Sequence, residues 1–404
     1  MAIEIRAPRD EELRDVLVTL EAAFGGGLEN EERELASTRK TMPLDRVLAA
    51  FDDGRIVGTA AAWPFRITIP GGELPCPGVT WVGVLPSHRR RGLATALMRR
   101  QLDDVHARGE PLAGLWASEG PIYGRFGYGQ AAPLHMLDAT APDFALRDDP
   151  GLAGRIRIVT LEEAREQLPP IYDRVRPTRP GMLSRSPEWW SEERLSDRWD
   201  RPGAGPRFHA VLELDGADEG YAIYKVEQKG DRGIPDGAVR VVEALATSTR
   251  ATQELWRFLF SIDLTSVVDA RLLDPAAPLF WSVADPRRLR LRYTDGLWLR
   301  LVDVDAALRA RSWAGGDSVV LEVRDAFCPW NAGRHRAGGD AGRADGETPD
   351  LALDVADLAS LYLGGVDAVL LHASGRIEER TPGAVERAAA LFRTPLPPFC
   401  PEVF

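Results

Sequence analysis

Two stretches of this chain repeat one pattern. "IEIRAPRDEELRDVLVTL", from Ile3, reads as a short apolar strand running into an amphipathic helix, and "IRIVTLEEAREQLPPIYDRV", from Ile156, reads the same way. "RIVGTAAAW" is then echoed by "EGYAIYKVE", both glycine-containing strands. "VTWVGVLPSHRRRGLATALMRRQLD" is echoed by "VRVVEALATSTRATQELWRFLFSID", both strands entering helices. The elements recur in the same order at offsets of roughly 150 to 165 residues, which marks an internal duplication. A chain of 404 residues exceeds one ordinary domain, and its texture changes after the second copy. The expected division is 1–150, 151–294 and 295–404, with mixed helix and sheet in each.

In the first copy, Pro8 with Asp10, Glu11 and Glu12 suits a helix start, and Leu13, Val16, Leu17 and Leu20 continue the helix towards Phe24. A strand is expected over Val79–Leu85. The helix after it shows Ala94, Leu97, Met98, Leu102 and Val105 on one face and stops at Gly109, before the strand "LAGLWAS". In the last region, "DGLWLRLVDVDAALRARSW" reads as a strand entering a helix and "VVLEVRDAF" as a strand. "WNAGRHRAGGDAGRADGE" reads as a mobile Gly/Arg/Asp-rich loop, and "DVADLASLYLGG" and "GAVERAAALF" as amphipathic helices.

Composition narrows the function. A formal net charge of −11 disfavours a nucleic-acid binder and suits a cationic partner, although solubility alone would also explain it. Cys76, Cys328 and Cys400 are scattered without CxxC spacing, against a disulfide scaffold or structural zinc and in keeping with a reducing compartment. The acidic N-terminus lacks the apolar core of a signal peptide, and no apolar run approaches a membrane span, so a cytoplasmic protein without membrane partners is expected. His88, His106, His135, His209, His335 and His372 show no metal-ligand spacing, and no metal is expected.

The junction in "VTWVGVLPSHRRRGLATALM" carries the chemistry. A helix N-terminus presents unpaired N–H groups and partial positive charge. Gly92 lets an anion approach the backbone, and Arg89, Arg90 and Arg91 add charge and bidentate donors. R-x-x-G-x-A, from Arg89 to Ala94, is the short form of a pyrophosphate loop, and neither GK[ST] nor G-x-G-x-x-G is present. A solvated basic turn would have the same composition. What favours the anion is the apolar strand before it, which contains Gly83 and ends at a proline, leaving backbone groups free for an extended ligand arm. The second copy has Ser and Thr at the matching place, so only the first kept the site.

These residues resemble the GNAT superfamily of acetyl-CoA-dependent N-acetyltransferases. "VGVLPSHRRRGLATALM", "ASEGPIYGRFGYGQA" and "DGLWLRLVDVDAALRAR", over a duplicated fold ending in phenylalanine, resemble more closely its Eis (enhanced intracellular survival) family. The resemblance implies two tandem GNAT-like domains, the second degenerate, followed by a sterol carrier protein-like α+β domain. It implies that acetyl-CoA is the acyl donor, held by Val82, Gly83 and Val84 of the strand, by Arg89, Arg90, Arg91, Gly92, Leu93, Ala94 and Thr95 of the loop and helix, and by Ser118 and Glu119. It also implies a homo-hexamer.

Acetyl transfer needs a neutral amine, an oxyanion donor and a proton for the departing thiolate. Backbone N–H groups of Val82 or Val84 are candidates for the oxyanion. A phenol titrates near 10 and a thiol near 8.5, so a tyrosine can protonate the thiolate at little cost. Tyr123 matches the family's tyrosine, and Tyr128 is read as packing. The central strand has no carboxylate to serve as base, and the resemblance assigns that role to the terminal carboxylate of Phe404, stiffened by "PLPP". For the acceptor, the resemblance implies amines of polycationic molecules such as aminoglycosides. Glu29, Glu31, Glu32, Glu34 and Glu402 supply charge, Phe24 an apolar wall, and the glycines after Phe24 depart from the family pattern. Trp189, Trp190 and Trp199 are read as core. Protein lysines, polyamines, or lipid carriage with a vestigial transferase remain alternatives.

Overall fold

The structure is a computed structural model that describes residues 3–141, 144–148, 151, 153–197, 205–228, 230–231 and 234–404. The chain divides into two compact units, one taking residues up to Ala132 with Gly296–Pro398 and Glu402–Phe404, the other Pro133–Asp295 with Phe399–Pro401.

The first unit opens with β1 (Glu4–Arg6) and a 3₁₀ turn at Asp10–Glu12, so the helix expected from Pro8 begins in earnest only at α1 (Leu13–Ala23). Glu12 explains the delay, because it accepts from the Arg6 guanidinium and from the Arg9 amide, both at 2.8 Å. There follow α2 (Glu31–Thr41), β2 (Val47–Asp52), β3 (Arg55–Trp63), the hairpin β4 (Arg66–Ile69) and β5 (Gly72–Pro75), then β6 (Gly78–Val84), α3 (Leu93–Ala107), β7 (Leu112–Trp116) and the single turn α4 (Gly120–Tyr123). The sheet order is β1-β2-β3-β6-β7, with Leu297–Leu301 antiparallel beyond β7; only β6 and β7 run parallel.

β2 and β3 are apolar and buried almost throughout because both faces of the sheet are covered. Gly58 pairs with Val84 and Thr59 with Gly83, so the two glycines lie on opposite faces. A Cβ on Gly58 would meet Leu97 of α3 at 3.3 Å, and one on Gly83 would meet Ala23 of α1 at 3.0 Å. α3 and α1 therefore take opposite sides, each close because a glycine admits it.

The C-terminal part of this unit builds its own sheet. Ser318–Arg324 lies between Gly333–Gly338, antiparallel, and Leu351–Asp354, parallel. The segment expected to be a mobile loop is instead ordered: Gly333–Gly338 and Gly342–Arg343 are strands. Its inward residues are His335 and Ala337 rather than large aliphatics, which hid the alternation, and Arg343 ties the return by donating to the Ala332 carbonyl at 2.9 Å. Helices Val304–Ala310, Val355–Tyr362 and Ala384–Phe392 follow the expected segments. Buried Arg311 donates to the carbonyls of Tyr362 (2.8 Å) and Phe392 (2.6 Å), closing two helix C-termini, and burial lowers its pKa to about 10.

The second unit repeats the first. Arg155–Val159, Phe208–Leu214, Ala217–Glu227, Gly237–Ala246 and Thr265–Leu273 form a sheet in that order, and again only the last two run parallel. Helix Leu161–Val175 starts with a Thr160/Glu163 capping box. Trp189 and Trp190 are buried here, as core, while Trp199 lies outside the described residues. No helix among the described residues is long and apolar enough to cross a membrane.

Candidate active site

β6 has an irregular edge on each side. Against β3, Thr59 pairs with Gly83 but Ala61 pairs with Thr80, so Trp81 and Val82 together face Ala60. Trp81 takes a left-handed φ of 56° at this bulge. The carbonyls it frees are taken up locally: Thr59 Oγ1 donates to Trp81 O at 2.7 Å, and buried Gln101 Nε2 of α3 donates to Ala61 O at 2.9 Å. On the other side, β6 pairs with β7 only at Gly78 and Val79. From Thr80 onwards, through Val82, Gly83 and Val84, the main chain has no strand neighbour on that edge.

Beyond Val84 the chain makes a 3₁₀ turn at Pro86–His88 and reaches α3 through Arg89–Gly92. Arg90 (φ 61°) and Gly92 (φ 83°) both adopt left-handed backbone, curling the main chain into a concave loop. Gly92 occupies the N-cap without a side chain, and its first helical hydrogen bond, Ala96 N–H to Gly92 O, spans 3.0 Å. The amides of Leu93, Ala94 and Thr95 are thus left without an intrahelical acceptor. Leu93 and Leu97, buried against Leu48, Val57 and Ala60, anchor the helix at this height. Gly92 is exposed, and a Cβ there would meet nothing within 4 Å.

The three arginines are not equivalent. Arg89 donates to Val84 O (3.2 Å) and Ala23 O (2.6 Å), joining the end of β6 to the end of α1. Arg90 and Arg91 are exposed, Arg91 lying 3.7 Å from Asp52, which also meets His88 Nε2 at 3.1 Å.

Ser118 and Glu119 are exposed between β7 and α4. Tyr123, at the end of α4, is 7 % exposed, packs with Val79, Met98, Ala113 and Phe126, and meets Tyr128 edge-on at 6.3 Å. Val82 packs on the same cluster. Tyr128 is fully buried with no hydrogen-bond partner for its hydroxyl, and burial raises its pKa far above the ordinary phenol value. Tyr128 is packing, and Tyr123 is the phenol closer to solvent.

The last residue enters this neighbourhood. The Phe404 ring meets Phe65 edge-on at 5.2 Å, and a Cβ on Gly78 would lie 2.9 Å from Phe404 Cε2. The C-terminus therefore sits at the foot of β6, where the strands begin to part. Glu402 is fully buried and Val403 exposed.

The acidic candidates separate. Glu31 pairs with Arg14 at 2.5 Å and Glu32 is exposed, whereas Glu29 and Glu34 face Glu21. Glu21's pKa is raised by burial first, then by those two carboxylates. Sequence reasoning missed Glu21, which shares α1 with the apolar stripe and carries no local signal. Phe24 is exposed with its ring edge close to Gly83. Among the described residues, no group of three or more His, Cys, Asp or Glu side chains is placed to hold a metal.

An uncapped helix start beside a half-unpaired parallel strand can hold an anion with an extended arm, and comparisons with known proteins give the class of the chain. The family model described as "Acetyltransferase (GNAT) domain" matches residues 4–131, a second of the same description matches 181–301, and "Sterol carrier protein domain" matches 304–401. Two GNAT domains, in mixed helix and sheet, are thus followed by a sterol carrier protein domain. An N-acetyltransferase of Streptomyces avermitilis is 42% identical over all of both chains. N-acetyltransferase Eis of Mycobacterium tuberculosis is 33% identical over 98% of each. The crystal structure of Eis1 from Mycobacterium abscessus superposes with a TM-score of 0.86 at 34% identity, covering 100% of both chains. The chain belongs to the Eis family of GNAT N-acetyltransferases, and it is an enzyme of that class.

Proposed function

We propose that the acyl donor is acetyl-CoA and that the acetyl group passes directly from its thioester to an amine of a polycationic small molecule of the aminoglycoside kind. The observation that carries this reading is the empty N-cap at Gly92 next to the unpaired edge of β6. The diphosphate would lie on the amides of Gly92, Leu93, Ala94 and Thr95, with Arg90 and Arg91 beside it and Arg89 bracing the loop. The pantetheine arm would complete the free edge at Val82–Val84, while Ser118 and Glu119 line the cofactor side.

The acceptor amine must lose a proton before attack, and the Phe404 carboxylate is the base, directly or through one water. As the amine nitrogen bonds to the carbonyl carbon, the oxygen takes negative charge that a free N–H of Val82 or Val84 stabilises. The C–S bond then breaks, and Tyr123 hands its proton to the thiolate. The Glu21, Glu29 and Glu34 group supplies attraction for a polycation, whereas Glu402 is fully buried and takes no part in it. In this reading residues 1–150 are catalytic, 151–294 a degenerate copy, and 295–404 the region that delivers the terminus. The working form is a cytoplasmic homo-hexamer, which light scattering of the purified chain would test.

The deciding experiment is a thiol-release assay with acetyl-CoA across aminoglycosides, polyamines and lysine peptides. Tyr123→Phe and a chain extended past Phe404 should each lose about a hundredfold in kcat. Full activity in both overturns the assignments. Peptide turnover alone would move the acceptor to protein lysines, and tight lipid binding with no thiol release would make the chain a carrier.

A further inference from the structure

Arg300 is the largest of the fully buried residues among those described. It stands on the strand next to β7, paired opposite Ala113. Its Nη2 donates to Asp325 Oδ2 at 2.5 Å, while Nε and Nη1 have no hydrogen-bond partner. Removing a guanidinium from water costs several kcal/mol, and one carboxylate with the weakly accepting Cys328 thiol beside it repays it poorly. Apolar residues of matching volume in place of the whole Arg300–Asp325 pair would fill the space at less cost, so its placement calls for a role.

Its surroundings indicate one. The partner is held in advance: Asp325 Oδ1 accepts the Cys328 amide (2.8 Å) and Oδ2 accepts Asn331 Nδ2 (3.0 Å). Asn331 in turn accepts from the Val304 amide at 2.9 Å and donates to Val302 O at 3.1 Å. The far face of the guanidinium lies against Gly127, where a Cβ would come within 2.7 Å of Cζ. Gly127 has a left-handed φ of 83° and closes the turn that carries Tyr123, with Gly127 N–H to Gly124 O at 2.9 Å and Tyr128 N–H to Tyr123 O at 3.3 Å. The flat cation thus occupies the room that the glycine leaves, behind the turn and beside Tyr128, whose ring meets Tyr123 edge-on.

We propose that Arg300, held by Asp325 and Asn331, is a positioning residue for Tyr123: it fixes the Tyr123–Tyr128 turn from behind and so sets the direction of the acid's hydroxyl. This rests on Tyr123 being the acid. The sterol carrier protein domain, which supplies Asp325 and Asn331, then takes part in acetyl transfer by holding the arginine behind the acid.

The test is steady-state kinetics on the full chain with Arg300→Met and Arg300→Lys, each alone and combined with Tyr123→Phe. Arg300→Met should lower kcat about tenfold with the acetyl-CoA KM within about twofold, and Arg300→Lys should recover part of the loss. In the Tyr123→Phe background either substitution should change kcat less than about twofold, because the group being aimed is gone. Equal losses in both backgrounds, or a loss confined to KM, would overturn the inference and leave the acid assignment standing. If Tyr123→Phe alone keeps wild-type kcat, the acid assignment falls and takes this inference with it. Should Arg300→Met not fold, Arg300→Lys, which keeps a charge for Asp325, decides by the same comparison.

Discussion

β6 enters α3 through Pro86–Gly92, and strand Gly237–Ala246 enters helix Thr249–Phe260 through Thr247 and Ser248. The two junctions share a frame. In the second, Ile223 pairs with Glu243 and Tyr224 with Val241, so Val242 is bulged much as Trp81 is. The parallel neighbour pairs only with Gly237–Val241, and the rest of the strand departs from it, as β6 departs from β7. What differs is the filling. Beyond the second bulge, Glu243 accepts Arg185 at 3.0 and 2.7 Å and lies 3.2 Å from Arg194, with the Tyr221 hydroxyl bonded to it as well. Arg185 also stacks over Tyr172 at 3.8 Å. At the helix start, Ser248 Oγ accepts the Ala251 amide at 3.2 Å. One copy thus caps its helix with a serine and builds an ion-pair cluster on its strand beyond the bulge, and the other has a glycine at the N-cap and a glycine, Gly83, on its strand. The proposed anion site differs from its copy as much by a withheld cap and side chain as by added arginines.

This contrast can be broken by substitution. The largest effect is expected at the ion-pair cluster. Glu243→Ala removes the buried carboxylate shared by Arg185 and Arg194 and should destabilise the second unit by about 3–5 kcal/mol, read as loss of hydrogen-exchange protection in Ala217–Glu227 and Gly237–Ala246. Gly92→Asp should close the open junction. Aspartate tolerates the left-handed backbone of Gly92 better than most residues and repels a diphosphate. The acetyl-CoA KM should rise about tenfold or more, with a stability loss of about 1 kcal/mol from the left-handed backbone; an unchanged KM would mean that α3 is not the anion site. Ser248→Ala opens the second helix start and should cost about 1 kcal/mol without adding a nucleotide site, so calorimetry should still count one acetyl-CoA per chain.

The smallest effect concerns Glu21. Its folded pKa lies above the ordinary carboxylate value, so the stability it contributes is present at low pH and is lost as pH rises through the raised value. Glu21→Gln should remove that decline, making the unfolding midpoint flatter with pH just above the normal carboxylate range. The same substitution should raise KM for a polycationic acceptor. If KM does not move, the acidic group is not the acceptor's docking point.

What the sequence made legible was contiguous. The strand, HRRRG, the helix and Tyr123 lie within one stretch, and each local preference points the same way. The duplication was legible because strand and helix periods survive in both copies. Elements joined across long separations were not, except Phe404, which the family resemblance rather than any local pattern brought to Gly78. Arg300 meets Gly127, with Asp325 and Asn331 behind it, only in the folded chain, and no spacing rule announces a buried charge. Glu21 reads as an ordinary polar position of α1 until Glu29 and Glu34 fold back on it. Gly333–Gly338 failed for another reason: its glycines and arginines look like loop, and the inward His335 and Ala337 are too small or too polar to mark a strand.

The most direct test is a crystal structure of the full chain with acetyl-CoA. The diphosphate should lie on the amides of Gly92–Thr95 with the pantetheine arm along Val82–Val84, and the junction at Ser248 should stay empty. Coenzyme bound at Ser248 instead, or bound anywhere with the Gly92 amides still facing solvent, would contradict the account.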